Sequence, residues 1–132
     1  MAARFAPLAV RLVGALVLSR RRPSGGPRAG LMRAVELLWF TDCANHADAR
    51  RTLAEVIGEV APGTPITDID ASDPTVAAQL RFPGSPTIRV DGRDIDPNYV
   101  DPGDYTPRCR PYRTPSGLRG LPERGWIEAA LR

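Results

Sequence analysis

Apolar residues change their spacing along the chain, and each change of spacing predicts a new element. Residues 35–40 are apolar at nearly every position, which is typical of a strand covered on both faces. After a short turn the apolar positions follow one helical stripe. They are Ala49, Leu53, Val56, Ile57 and Val60. This pattern predicts a helix over residues 45–60, with Asn45 as its N-cap and Asp48 completing a weak capping box.

Further strands and helices follow in an alternating order. Strands are predicted at residues 65–70, 87–90 and 93–95, and helices from residue 72 onwards and at 123–131. Asp73 followed by Pro74 is a strong helix start, because a capping side chain precedes a proline at the first helical position. Asp91 and Gly92 are the turn residues of a hairpin. The predicted order is β-α-β-α-β-β-α, an α/β domain over residues 35–132.

One long stretch of this domain has no periodicity. Residues 96–122 are rich in proline and glycine, and we predict a loop insertion there. Loops of this length in a compact domain are usually functional or mobile.

Residues 1–34 differ from the rest of the chain. The stretch 5–18 is apolar except for Arg11, and is too short for a membrane span of about 20 apolar residues. It is a poor signal peptide, because arginines stand where a small-residue cleavage site belongs. We predict a disordered or over-predicted extension, with Met32 as a sensible alternative start. An amphipathic surface or targeting helix and a membrane anchor stay open as alternatives.

Charge and cysteine content restrict the function classes. Residues 1–33 carry seven arginines and no acid, while the rest carries eleven arginines and fifteen acids. The globular part is therefore negative, which disfavours nucleic-acid binding, and we expect no membrane contact for it. Two cysteines do not make a secreted disulfide framework, so a reducing, cytoplasmic location is expected. With one histidine they supply at most three ligands, too few for a structural zinc site.

Cys43 is the main candidate for chemistry. It follows the first strand at a predicted helix start, where free N–H groups and the helix dipole stabilise a thiolate, the reactive form of cysteine. His46 lies one turn further along the same face and is a candidate hydrogen-bond donor or proton shuttle. Asp42 opposes a thiolate by its charge, but it is also a candidate proton acceptor or a simple turn former.

Three segments resemble the thioredoxin family. They read L-x-W-F-x-x-C-x-N-H, G-S-P-T-I-R-V-D-G and R-C-R-x-Y-R. The resemblance implies a four-stranded mixed sheet with helices on both faces and a cis-proline, at Pro86, beside the active cysteine. More narrowly, the segments are similar to small bacterial thioredoxin-family proteins, some of which carry an alkylmercury lyase label. The second cysteine of the C-x-x-C motif is replaced here by His46.

The resemblance implies a thiol-dependent redox protein of thioredoxin type, with Cys43 as the reactive thiol and a thiol or disulfide substrate. Cys109 or an external thiol would resolve the mixed disulfide. The neighbouring Arg108, Arg110 and Arg113 are expected to favour a Cys109 thiolate. No cofactor is implied.

Two other functions stay open. One is a non-catalytic scaffold that kept the fold and lost the chemistry. The other is a soft-metal binding or alkylmercury-lyase-like protein, in which Cys43 and Cys109, with or without His46, capture mercury, copper or zinc. Whether the protein is an enzyme and how it oligomerises are likewise open.

We expect the polypeptide 32–132 to fold on its own, because residues 23–30 have a linker composition and residues 1–31 contain no acid. Its thermal midpoint should lie within a few degrees of that of the full chain. A large decrease on truncation would show instead that the N-terminal residues pack on the domain.

Overall fold

The structure is a computed structural model that describes residues 32–132. The unit described below spans Arg33–Arg132. Residues 1–31, on which the prediction of an N-terminal extension falls, lie outside the described residues. Within the described part of the chain, no helix has the length and apolar character that crossing a bilayer requires.

Four strands form one mixed sheet. They are β1 (Val35–Trp39), β2 (Ile66–Asp70), β3 (Thr87–Val90) and β4 (Arg93–Asp94). Their order is β2-β1-β3-β4, with β1 parallel to β2 and antiparallel to β3. β3 and β4 are the two arms of an antiparallel hairpin. The predicted α/β class and the four-stranded mixed sheet are confirmed.

Helices cover both faces of this sheet. They are α1 (His46–Val60), α2 (Pro74–Gln79) and α3 (Arg124–Leu131). α1 and α3 bury apolar residues in one cluster with β1 and β3, on one face. α2 contributes Ala77 to a smaller cluster with Leu38 of β1 and Phe82. β1 is therefore buried on both sides, as its continuous apolar run predicts.

The two predicted N-caps behave differently. Asp73 accepts hydrogen bonds from the backbone N–H groups of Thr75, at 2.7 Å, and Val76, at 3.3 Å, and so caps α2 as predicted. Asn45 is the N-cap residue of α1, as predicted, but its side chain makes no capping hydrogen bond. Asp48 instead pairs with Arg51 on the helix surface. The predicted capping box of α1 is wrong.

The predicted loop at residues 96–122 contains a hairpin that the sequence pattern does not reveal. β5 (Tyr112–Thr114) and β6 (Gly117–Arg119) form a separate two-stranded sheet. Tyr112 and Thr114 are buried and the residue between them is exposed. This alternation is only three residues long, which is too short to stand out from irregular sequence.

Aspartates give a defined shape to the end of β4 and to the irregular part of the same segment. Each accepts a hydrogen bond from the backbone N–H two residues further on, at 2.8–3.0 Å. They are Asp94, Asp96, Asp101 and Asp104. Such Asx turns replace the backbone hydrogen bonds that a regular element would supply.

We expect Leu53→Ala to lower the free energy of unfolding by about 2–5 kcal/mol, because Leu53 is fully buried in the larger cluster and truncation leaves a cavity. Leu118→Ala is the matched control. Leu118 is 66% exposed, and its truncation should change the stability by less than about 0.5 kcal/mol. Urea unfolding of both variants measures the difference, and equal losses would contradict the described core.

Candidate functional site

Cys43 and Pro86 lie at the same end of the sheet. Leu38 of β1 faces Thr87 of β3 in their antiparallel pairing, so the end of β1 and the start of β3 coincide. The turn that carries Cys43 follows β1, and Pro86 directly precedes β3. β2 runs parallel to β1, so its last residue, Asp70, also lies at this end. We call it the Cys43 end of the sheet.

Cys43 lies in a turn before α1 rather than at the helix start itself. Its backbone N–H donates to the Phe40 carbonyl at 3.0 Å, and α1 begins at His46. The stabilising field of a helix N-terminus is strongest within its first turn, and Cys43 stands two residues before the N-cap. Cys43 was predicted at the helix start, and it lies shortly before the first helical residue, His46. The side chain of Cys43 is half-buried, and neighbouring Asp42 is exposed.

The turn is tied to the end of β2. The backbone N–H of Thr41 donates to the Ser72 hydroxyl at 2.9 Å. Ser72 in turn donates from both its hydroxyl and its backbone N–H to Asp70. These two hydrogen bonds hold the pKa of Asp70 below its ordinary value, and the one from the hydroxyl contributes most. Burial acts in the opposite direction. The position of Cys43 is thus fixed from a neighbouring strand as well as from α1.

His46 contacts the sheet. Its ring stacks on the indole of Trp39 with ring centroids 4.2 Å apart and an interplanar angle of 14°. Its Nε2 is buried, lies 3.6 Å from an Asp68 carboxylate oxygen, and has no hydrogen-bond partner among the described residues. This nitrogen therefore does not donate to the Cys43 thiol. The expected hydrogen bond from His46 to the Cys43 thiolate is therefore not made by Nε2.

The charge state of His46 follows from its surroundings. Burial lowers its pKa below the ordinary value, the nearby Arg50 guanidinium lowers it further, and Asp70 acts in the opposite direction. Arg50 also pairs with Asp68, the carboxylate nearest to Nε2. These surroundings favour the neutral imidazole over the charged one.

A part of the 96–122 segment lies along the residues that precede β3. The Ser85–Pro86 bond is cis, as the family resemblance implies. Ser85 donates its N–H to the Arg108 carbonyl at 2.8 Å and accepts from the Arg110 N–H at 2.9 Å. These bonds form a parallel bridge that pairs Ser85 with Cys109. The buried hydroxyl of Tyr112 adds a hydrogen bond to the Pro86 carbonyl.

Cys109 is exposed, and two of its expected arginine partners are engaged elsewhere. Arg110 points into the protein, where it forms a buried pair with Asp94. Arg108 lies at the surface and pairs with Asp104 at 3.3 Å. Both flanking guanidinium groups therefore pair with carboxylates, and their support of a Cys109 thiolate stays a prediction.

Two glycines allow the 96–122 segment to approach the Cys43 end of the sheet. Gly84 has φ +129°, and a Cβ there would lie 2.8 Å from the Arg110 Cβ. A Cβ at Gly120 would collide with the Asn45 side chain, which precedes α1. The segment thus contacts both the helix that follows Cys43 and the residues before β3. A larger side chain at Gly84 would force the segment away, because it would meet the Cβ and backbone of Arg110, whereas at Gly120 it would displace the end of the Asn45 side chain.

Sequence reasoning missed the roles of Asp94 and Trp39 at this site. Asp94 is the last residue of β4 and binds Arg110, and Trp39 packs against the larger cluster and also stacks on His46. The sequence contains only a weak indication that Asp94 binds Arg110. Arg110 belongs to the R-C-R-x-Y-R segment, but nothing in that segment identifies Asp94 as its partner.

Both cysteines are free thiols. Within residues 32–132 no group of three or more His, Cys, Asp or Glu side chains is arranged to hold a metal ion. Comparison of the chain with protein-family models, with curated proteins and with solved structures found no match.

We expect His46, the single histidine, to titrate below its ordinary pKa of 6.5. The unfolded chain then binds more protons than the folded protein in the window just below pH 6.5. The free energy of unfolding should therefore fall as the pH decreases through that window. An NMR titration of the imidazole proton measures the pKa directly.

Arg50→Gln tests the cause of this shift. It removes one cation near His46 and leaves Asp68 unneutralised, so the pKa of His46 should rise relative to the unmutated protein. Arg51→Gln is the control, since Arg51 pairs with Asp48. A pKa at or above 6.5 in the unmutated protein would contradict the described surroundings.

Proposed function

We propose that the protein is a thiol–disulfide oxidoreductase with a thioredoxin-like fold, in which Cys43 is the nucleophile and Cys109 the resolving thiol. The observation that carries this proposal is the bridge between Ser85 and Cys109. It holds an otherwise distant cysteine beside Pro86, at the end of the sheet where the Cys43 turn lies.

The fold supports the proposal. Without the β5–β6 hairpin, the element order is β-α-β-α-β-β-α, with Cys43 between the first strand and the first helix. The cis peptide bond stands at Pro86, the position that matches the cis-proline of the thioredoxin family. Cys109 takes the place of the second cysteine that the C-x-N-H motif lacks.

The chemistry proceeds in two exchange steps. The Cys43 thiolate attacks one sulfur of the substrate disulfide, forms a mixed disulfide, and releases the other substrate sulfur as a thiolate. The Cys109 thiolate then attacks the Cys43 sulfur and releases the second substrate thiolate. The substrate disulfide gains two electrons and two protons, and the two protein thiols become a Cys43–Cys109 disulfide. A low-molecular-weight dithiol returns this disulfide to the reduced state.

The exposure of the two cysteines fits these roles. Cys43 is half-buried, so a nucleophile there is shielded from bulk solvent but still reachable by a surface disulfide. Cys109 is exposed and its backbone is fixed, so its side chain is free to turn toward a mixed disulfide. A neutral His46 adds no positive charge near Cys43, and Asp42 extends into solvent. The proposed substrates are therefore disulfides on peptides or small molecules that present themselves at the surface.

Two serine variants test the proposal as a matched pair. Cys43→Ser should reduce insulin disulfides no faster than dithiothreitol alone, because the nucleophile is lost. With a substrate disulfide and no dithiothreitol, Cys109→Ser should still attack but stall, because no second thiol resolves the intermediate. Mass spectrometry should then find one substrate adduct per molecule, attached at Cys43.

The contrary results are equally specific. If the unmutated protein is no faster than dithiothreitol alone and Cys109→Ser traps no adduct, the scaffold without chemistry is the better account. If the adduct forms at Cys109 in both the unmutated protein and Cys43→Ser, the assigned order of attack is wrong.

A further inference from the structure

Arg110 is a buried cation held from several directions. Its guanidinium donates two hydrogen bonds to the Asp94 carboxylate, at 2.7 and 3.0 Å. A third hydrogen bond reaches the Thr87 hydroxyl at 2.9 Å. The guanidinium carbon lies 4.3 Å from the ring centroid of Tyr112 and 5.2 Å from that of Tyr99, within cation–π range. The side chains of Arg110 and Asp94 are only 7% and 4% exposed.

These contacts fix the backbone directly beside Cys109. The Arg110 N–H and the Arg108 carbonyl, one on each side of Cys109, both bond to Ser85. Gly84 lets the Arg110 Cβ approach the chain closely. Cys109 is thus an exposed thiol on a backbone held at both neighbours. Of the two flanking arginines, only Arg110 is anchored inside the protein.

Stability alone is a weak reason for such a pair. A buried ion pair can often be exchanged for apolar residues of similar volume with no loss of stability, whereas removing one partner is costly. What a bidentate arginine–carboxylate pair adds is a defined direction and distance. Because Arg110 directly follows Cys109 in the chain, fixing the Arg110 side chain also restricts the position of the Cys109 backbone.

We propose that Arg110, through its pair with Asp94, is a positioning residue that holds Cys109 where it resolves the mixed disulfide on Cys43. The proposal rests on the proposed function, since it presumes exchange between these two cysteines. The attack of Cys43 on the substrate does not involve Arg110. Loss of the anchor should therefore slow resolution and leave the first step unchanged.

The expected effect follows from the effective concentration of Cys109 at Cys43. A thiol on a mobile segment reaches effective concentrations of about millimolar, whereas an oriented group can exceed this by orders of magnitude. Arg110→Lys keeps the charge but loses the bidentate geometry. It should lower the equilibrium constant for the Cys43–Cys109 disulfide by about 10-fold or more.

Equilibration of the full chain in glutathione buffers, followed by acid quench and mass spectrometry, measures that constant. Arg108→Lys is the matched control, because Arg108 flanks Cys109 on the other side and its guanidinium lies at the surface. It should leave the constant within about twofold, well below the tenfold effect expected of the anchor. The rate of Cys43 alkylation by iodoacetamide should be the same in both variants and in the unmutated protein. A merely structural role for Arg110 would lower the thermal midpoint and leave the disulfide constant unchanged.

A second variant covers the case in which Arg110→Lys fails to fold. Asp94→Leu combined with Arg110→Met removes both buried members of the pair and leaves only Asp96, a more exposed carboxylate 3.8 Å from the Arg110 guanidinium, without its cation. Circular dichroism reports whether it folds, and a folded double variant should also lose at least 10-fold in the disulfide constant. A folded double variant with an unchanged constant would overturn the positioning role.

The two proposals fail in different ways. If the unmutated protein forms no Cys43–Cys109 disulfide at any glutathione ratio, the proposed function fails, and the positioning role fails with it. If the disulfide forms equally well with Lys or Arg at position 110, only the positioning role is overturned.

Discussion

The buried ion pair between Arg110 and Asp94 anchors the 96–122 segment, about a fifth of the chain, to the sheet. Asp94 ends β4 in the sheet, and Arg110 belongs to the long segment that leaves it. Once the pair forms, Ser85 meets the backbone on both sides of Cys109, and the Tyr112 hydroxyl reaches the Pro86 carbonyl. The proposed redox site depends on this attachment, because the ion pair acts together with the Ser85 bridge and the Tyr112 hydrogen bond to hold Cys109 at the Cys43 end of the sheet.

The regular elements were predictable because their information is local. A continuous apolar run, a helical stripe and an Asp-Pro start each fix an element within a few residues, and β1, α1 and α2 lie close to the predicted ranges. The Asp91-Gly92 turn likewise fixes the β3–β4 hairpin, and both residues adopt positive φ. The order of these elements then leaves few ways to form one sheet.

The details of the candidate site were less predictable because they depend on long-range contacts. Helical spacing places His46 near Cys43, but its ring stacks on Trp39 of β1 and faces Asp68 of β2. The hairpin at 112–119 is too short to show a period, and the partner of Arg110 lies 16 residues earlier in the chain. Such pairings are set by the tertiary fold.

The most direct test is the disulfide connectivity of the oxidised protein. After mild oxidation at low protein concentration, non-reducing peptide mapping should recover one linked pair of peptides, joining Cys43 to Cys109 within a monomer. Such a link requires Cα atoms within about 7 Å of each other. Recovery of Cys109–Cys109 dimers, or of both cysteines still unlinked after oxidation of the thiols, would contradict the proposal that the two cysteines act together.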